Sequence, residues 1–303
     1  MKKGKKIGLI VLGVVGGLIL LACLVFFKDY PRFVKNKHVM EMEQNREENV
    51  MRVMSYNIRC LTPLDLGEKN WFYRAHYVAQ CIEEQAPDVI GFQEVTSPQY
   101  DYLCDVMEGY DSIIDYRDNA INSEGCPVFY NTAKFELVDK GSFWLSETPD
   151  VMSKDWGAAC YRICSYTVLK DKVTGKEFAV FNAHLDHVSD EARINGIQVV
   201  LDKIQEFGSV PAILMGDLNA EEYTATYKSA TEAFLDAKYQ TEDTMTSCTF
   251  QSWGEELDND CIDYIMISPG DFQVDTYRVV RDTYEGTYAS YHFGLWADLR
   301  FAE

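Results

Sequence analysis

The chain has 303 residues and a mass of 34.7 kDa; 47% of its residues are hydrophobic, 13% aromatic and 25% charged, with 28 basic against 48 acidic side chains. Apolar content at that level excludes a disordered or low-complexity chain. A net charge of −20 argues against broad, unspecific attraction to a phosphate backbone.

The charge is unevenly spread. Met1 to His38 holds eight Lys/Arg and one Asp, so the 265 residues that follow carry 20 basic and 47 acidic side chains, a net −27. Within the basic head, Ile7 to Phe27 is an uncharged, mostly aliphatic run of 21 residues, long enough to cross roughly 30 Å of hydrocarbon as a helix. Lysines cluster at both ends, which a buried core helix would not need. Leu20-Leu21-Ala22-Cys23 also resembles a lipobox that would lipidate Cys23, but Leu24 to Phe27 prolong the apolar run past it. We expect a tail at 1–6, a transmembrane anchor at 7–27 and a charged linker at 28–50. The short tail is expected inside the cell and the body, residues 51–303, outside it. Asn36 to Asn49 lacks apolar periodicity and reads as a spacer.

The body shows no repeat and no Pro/Gly-rich break, so it reads as one domain. Expected strands are Met51–Ile58, Val89–Gln93, Cys126–Tyr130, Gly141–Leu145, Cys164–Leu169, Glu177–Ala183, Ala212–Met215, Cys261–Ile267 and Gly294–Leu299. Helical spacing recurs at Trp71–Glu84 and at Ser189–Glu206, where Ile194, Ile197, Leu201 and Ile204 share a face. Strands with interspersed helices suggest a two-sheet α/β sandwich. Eight body cysteines form no CxxC pair and no zinc pattern, and read mostly as small buried hydrophobes.

Polar residues gather where the expected strands end. Met51–Tyr56 runs into Asn57, Val89–Phe92 into Gln93-Glu94, Glu177–Phe181 into Asn182-Ala-His184-Leu-Asp186-His187, and Ala212–Met215 into Gly216-Asp217-Leu-Asn219. Asp263 lies inside an apolar strand, and Tyr291-His292 precedes the last one. Singly, Asn57 reads as a turn residue and Glu94 as a first-turn helix acid. Asp263 resists such a reading, because a buried carboxylate must find a partner.

Together these residues suit phosphoester hydrolysis. A hard divalent ion such as Mg2+, with Mn2+ as a substitute, takes oxygen ligands, which Asn57 and Glu94 offer. Asp217 could accept a proton from an attacking water that Asn219 orients, and His292, kept protonated by Asp263, would donate to the phosphoryl oxygens. His184 is a second donor. Whether Asp217 or His292 is the base stays open at this level.

The motifs Met54-Ser-Tyr-Asn57-Ile, Gly91-Phe-Gln-Glu94, Asn182-Ala-His184-Leu-Asp186-His187, Gly216-Asp217-Leu-Asn219, Ile262-Asp263-Tyr-Ile and Ser290-Tyr-His292, in this order, resemble the endonuclease/exonuclease/phosphatase superfamily. The resemblance implies a four-layered α/β sandwich, two mixed sheets face to face with helices outside. It puts metal ligands at Asn57 and Glu94, a phosphate-side histidine at His184, the water-positioning pair at Asp217 and Asn219, and a buried Asp/His pair at Asp263 and His292. Phe143 to Asp150 and Tyr161 to Cys164 look similar to a bacterial, mostly exported or surface-located subgroup, which implies Glu124 and Arg162, with His187, on the substrate side. The family pattern has Asp where this chain has Tyr291, which implies one metal rather than two.

The expected substrate is a small or lipid-derived phosphoester rather than nucleic acid, since the acidic body shows no basic groove in sequence. DNA or RNA cleavage is the runner-up, and a surface binding module crippled by Tyr291 is the alternative from another class. Substrate choice is expected in the loops 63–70, 116–125, 146–160 and 243–260.

Overall fold

Alternation with period two runs through the central strands and decides which side chains meet. In Met51–Asn57, Met54 and Tyr56 join an outer apolar cluster, whereas Val53 joins the cluster between the sheets. The same split separates Ile90 and Phe92 from Val89, Phe181 from Val180, Leu214 from Ile213 and Met215, and Met266 from Ile265 and Ile267. Each strand thus has two buried faces, and three apolar clusters separate four layers.

The computed structural model describes residues 2–257 and 260–302, with side chains from Val11 onward. One sheet has seven strands in the order Thr244–Met245, Phe272–Val280, Gly294–Phe301, Met51–Asn57, Val89–Gln93, Val128–Asn131, Tyr110–Ile113. The facing sheet has six, ordered Leu235–Asp236, Asp263–Ile267, Ala212–Asp217, Glu177–His184, Ile163–Asp171, Phe135–Trp144. Met51–Asn57 runs parallel to Val89–Gln93, and Glu177–His184 parallel to Ala212–Asp217, so each sheet is mixed. The four-layered sandwich expected from the sequence is the fold.

Six α-helices among the described residues are numbered in chain order: α1 Lys2–Phe26, α2 Tyr30–Asn36, α3 Trp71–Gln85, α4 Ser97–Val106, α5 Asp190–Gln205 and α6 Ala225–Ala233. Helices α3 and α4 cover the seven-stranded sheet through Trp71, Val78, Ile82 and Leu103, and α5 and α6 cover the other through Ile197, Val200, Tyr227 and Ala230. Asn70 caps α3 by accepting the Phe72 amide at 2.9 Å, and Ser189 caps α5 by accepting that of Ala192 at 3.2 Å.

Several elements differ from the sequence reading. Gly141–Leu145 is the end of a ten-residue strand, Phe135–Trp144. Phe272–Val280, α4 and α6 were not anticipated. The stretch Val14–Asn36, from the middle of α1 to the end of α2, is long and apolar enough to cross a membrane by length and composition, and none of the assessed window is buried. The side chains of the 1–6 tail lie outside the described residues. The charged segment that follows is no free spacer: Phe33 packs edge-on against Phe72 at 5.4 Å, Met40 is buried, and the Met40 amide donates to the Val106 carbonyl at 2.8 Å. All nine cysteines are free thiols.

Candidate active site

Register brings the polar residues to one end of the sandwich. Asn57 pairs with Gln93 in one sheet; in the other, Asp217 lies between His184 on a parallel neighbour and Asp263 on an antiparallel one. By alternation, Asn57, His184, Asp217 and Asp263 all take the position facing the opposite sheet. The inter-sheet core therefore ends in these side chains, all of them buried.

The ladder depends on two close approaches. Gly216 has φ 135°, and a Cβ there would sit 1.9 Å from the Ala183 carbonyl oxygen, so only glycine fits between the strands carrying His184 and Asp217. Across the sheets, Asn182 donates to the carbonyls of Phe92 at 2.8 Å and Pro127 at 2.9 Å and accepts from Gln93 Nε2 at 2.7 Å. This buried polar knot fixes the sheet spacing just beneath the site.

Asp217 Oδ2 is the focus of the cluster. Asn57 Nδ2 donates to it at 3.0 Å, and His184 Nε2 and His292 Nε2 lie 3.5 and 3.7 Å away. Its Oδ1 accepts the Asn219 amide at 2.9 Å, and Asn219 holds a left-handed backbone with φ 47° while its Nδ2 donates to the Leu185 carbonyl at 3.1 Å. Behind His292, Asp263 Oδ2 sits 2.8 Å from Nδ1. Burial alone would drive His292 neutral, but the carboxylates of Asp263 and Asp217 overrule it and push its pKa up to about 9. Burial, aided by Asp263, raises Asp217 to about 7. His184 is pushed well down by burial, then by Arg162 and Arg117, so it is a neutral imidazole. The arrangement sets a protonated histidine and a carboxylate of moderate basicity side by side, as general acid–base chemistry requires.

Glu94 stands beside this cluster, with φ 61°. Its Oε1 accepts from Asn57 Nδ2 at 3.2 Å and from the Tyr291 hydroxyl, and its Oε2 accepts the Cys60 amide at 3.1 Å. Burial would raise its pKa, yet the Tyr291 hydroxyl, Arg59 and the Cys60 amide hold it below the usual range. Glu94, which lines the pocket, offers an ionised carboxylate suited to a hard divalent cation; Asn57 turns its Nδ2 toward Glu94 and Asp217 and its Oδ1 to the Arg59 amide at 3.1 Å, so it would join as a ligand only with its amide turned over. Asp217, Asp263 and His292 also cluster closely enough to be considered for a metal. Because the Asp263–Nδ1 contact is a hydrogen bond, we read that trio as a proton-holding group.

The site opens into a pocket of about 670 Å³. Glu124, Arg162 and His187, singled out from the sequence, line it, and so do Arg59 and Arg117, which were not. Each arginine has a carboxylate behind it. Arg59 Nε donates to Asp65 at 2.9 Å, Arg117 donates to Glu124 at 2.7 Å, and Arg162 Nε lies 3.6 Å from Asp186. Arg162 also meets His187 Nδ1 at 2.8 Å. Asp186 organises its loop by accepting the amides of Val188, Ser189 and Ala159. Glu221, Glu256 and Asp260 are also in the lining. Arg59 follows the Asn57 strand end by two residues, and Arg117 lies in a loop flagged for substrate choice; that placement was the only signal either gave.

Comparison with known proteins agrees with this geometry. The sequence profile described as "Endonuclease/Exonuclease/phosphatase family" matches residues 54–292. An endonuclease/exonuclease/phosphatase family protein from Bacteroides thetaiotaomicron is 35% identical, with TM-score 0.78, over 84% of this chain and 98% of its own. The mannosyl-6-phosphatase of Bacteroides thetaiotaomicron VPI-5482 is 34% identical, with TM-score 0.76, over 83% of this chain and 100% of its own. An uncharacterized protein of Acanthamoeba polyphaga mimivirus is 29% identical over 162 residues, 50% of this chain and 60% of its own length. The chain spans 37% of the next curated relative, a CCR4-Not complex 3'-5'-exoribonuclease subunit from Mycosarcoma maydis. On the extent of the profile match and the identity to solved relatives, the chain belongs to the endonuclease/exonuclease/phosphatase family, whose members are hydrolases acting on phosphoesters.

Proposed function

We propose that the protein is a membrane-anchored, extracytoplasmic, Mg2+-dependent phosphoesterase acting on a small phosphoester, a sugar phosphate before any nucleic acid. The observation that carries this reading is the pocket's charge layout. Three arginines and three histidines share the lining with Glu221, Glu256 and Asp260. Arginine forks suit a phosphate, carboxylates suit the hydroxyls of a polyol, and a polyanionic strand would meet those carboxylates as repulsion. Likeness to a mannosyl-6-phosphatase supports the same class.

In this reading Asn57 and Glu94 hold the cation, for which Mn2+ can substitute. When bound, it supplies charge neutralisation at the phosphoryl oxygens. Asp217 is the base, because its pKa near 7 lies below that of His292 near 9, so at neutral pH the proton rests on the imidazole. Asn219 positions the water. His292, held by Asp263, and the neutral His184 donate to the phosphate, while Glu124, Arg162 and His187 bind the rest of the substrate. Domain limits follow the sequence reading: a tail at 1–6 inside the cell, the anchor at 7–27, a juxtamembrane segment at 28–50 and the catalytic body at 51–303.

The test is hydrolysis by the full chain, read as inorganic phosphate from hexose and inositol phosphates, p-nitrophenolate from bis-p-nitrophenyl phosphate, phosphocholine from sphingomyelin and nicked circles from plasmid DNA, with Mg2+, with Mn2+ and with chelator. Chelator-sensitive turnover of a phosphosugar is expected; fast plasmid nicking would overturn the substrate ranking. One observation favours a second reading, a binding module without turnover. The Tyr291 hydroxyl and Arg59 already occupy the surroundings of Glu94. Phosphosugar binding with no turnover in any metal would establish it.

A further inference from the structure

We propose that the loop Thr62–Leu66 is a lipid-seated contact that dips into the same membrane α1 crosses and fixes the orientation of the catalytic body there. This rests on the reading of α1 as a membrane span.

The loop presents apolar side chains to the outside. Leu64 is 84% exposed and Leu66 51%, beside an exposed Pro63. Within a five-residue stretch that is an unusual surface for water and an ordinary one for the headgroup–acyl boundary. The loop is also rigidly built. Asp65 is buried between the two leucines and accepts from Arg59 Nε at 2.9 Å and Nη2 at 3.3 Å, and its amide donates to the Thr62 carbonyl at 3.3 Å.

Its position is fixed against the end of α1. Asn70 Nδ2 donates both to the Asp65 carbonyl at 3.1 Å and to the Phe26 carbonyl at 3.3 Å, so one amide clamps loop and helix together. Pro63 and Leu66 line an apolar groove with Leu18, Leu21, Ala22 and Val25 of α1. The apolar run ends at Phe27 and charge resumes at Lys28 and Asp29. At 1.5 Å per residue, a loop beside Ala22 lies roughly 8 Å inside that boundary, the depth at which interfacial segments seat. The outer surface of α1 thus continues into Pro63 and Leu66, with Leu64 exposed between them in sequence, and the occupant of this apolar face is the bilayer.

The body has little freedom to swing away. Phe26 and Phe27 pack on Phe72 at 5.6 and 5.5 Å, and Arg32 reaches the Tyr77 hydroxyl at 2.7 Å and lies over the Tyr73 ring. Because Arg59 both holds Asp65 and lines the catalytic pocket, the seat lies a few residues from the site.

The test uses the full chain in lipid nanodiscs made with or without acyl-chain-brominated phospholipid, which quenches tryptophan on contact. Three single variants are compared after subtraction of wild-type emission: Leu64→Trp, Val15→Trp in the span, and Val173→Trp on the turn at the opposite end of the sandwich. Brominated lipid is expected to cut the added emission about twofold at positions 15 and 64 and to leave position 173 unchanged. Quenching at 15 with position 64 behaving like 173 would refute the seat and leave the span standing. No quenching at 15 would refute the span and, with it, the seat.

Discussion

Replacing Asp263 by Asn keeps the shape behind His292 and removes the charge. Burial alone pulls the imidazole down; Asp263, at 2.8 Å from Nδ1, leads the interactions that lift it to about 9. The displacement from the ordinary value of 6.5 corresponds to about 3 kcal/mol at 1.36 kcal/mol per unit. At pH 7.5 the wild-type imidazole is then roughly 97% protonated; in Asp263→Asn the leading cause of the upward shift is gone while Asp217 and Glu94 still oppose burial, so both the pKa and the protonated share fall. Loss of the cation and of its orientation should lower kcat/KM by about 10²- to 10⁴-fold. The wild-type alkaline limb, set by His292 deprotonation near pH 9, should move to lower pH in the variant.

The same shift appears in stability. His292 has a folded pKa raised above its unfolded value, so its contribution is complete below about pH 6.5 and is lost as pH rises from there through 9. Urea midpoints should fall across that window for wild type, and much less for Asp263→Asn. A variant with kcat/KM within about threefold of wild type and an unchanged alkaline limb would refute the assignment of His292 as an imidazolium donor.

Other substitutions probe other parts of the argument. Gly216→Ala should yield no folded protein, since its Cβ meets the Ala183 oxygen at 1.9 Å, whereas Gly270→Ala, at φ 81° with open space around it, should cost about 1 kcal/mol; scanning fluorimetry decides between them. Asn182→Leu takes one partner each from the Phe92 carbonyl, from the Pro127 carbonyl, which keeps the Phe92 amide, and from Gln93 Nε2, which keeps Ser55 Oγ, and should destabilise by about 1–3 kcal/mol in urea; a loss under about 0.5 would show that water replaces the knot. Asp186→Ala frees Arg162 and the loop amides, so KM should rise about tenfold with a smaller change in kcat. Tyr291→Phe removes a donor from Glu94 Oε1, and titration calorimetry should show Mg2+ binding about tenfold tighter; equal or weaker binding would mean the hydroxyl supports the metal site.

The inter-sheet core was legible because alternation is a local signal. Val53, Val89, Val180, Ile213 and Ile265 each announce an inward face, and the next inward positions supply Asn57, His184, Asp217 and Asp263. What stayed hidden depends on contacts distant in sequence. Phe272–Val280 carries Gln273, Asp275, Thr276 and Arg278 among its apolar residues and hydrogen-bonds to a two-residue edge strand, so its apolar signal is diluted. The start of α4 is written as a Thr96/Gln99 capping box, a signal the apolar run in front of it obscured. The segment 28–50 lacks periodicity because it docks through scattered residues, Phe33, Met40 and Arg46, rather than along one helical face. Tyr291 read as a lost ligand; the fold shows it as a donor that keeps Glu94 ionised.

The pairing of each pocket arginine with a carboxylate bears on how an acidic protein binds a phosphate. Arg59, Arg117 and Arg162, held by Asp65, Glu124 and Asp186, are near-neutral pairs whose donors are fixed before substrate arrives. Binding then rests on orientation over a few ångströms rather than on a long-range field, which the net charge of −20 would oppose. Burial and Glu94 raise Glu124 to about 7, so the Arg117 pair, unlike the other two, is only partly neutral at neutral pH. A nuclease that neutralises several phosphates loses affinity steeply with salt, with a slope near −1 per contact. Here a single phosphate, met by donors in a half-enclosed pocket, should give log KM a slope no steeper than about 1 against log salt. A steep slope would mean that the pocket lining is not where the substrate's charge is read, and would return the acidic-body argument to the nucleic-acid reading it now disfavours.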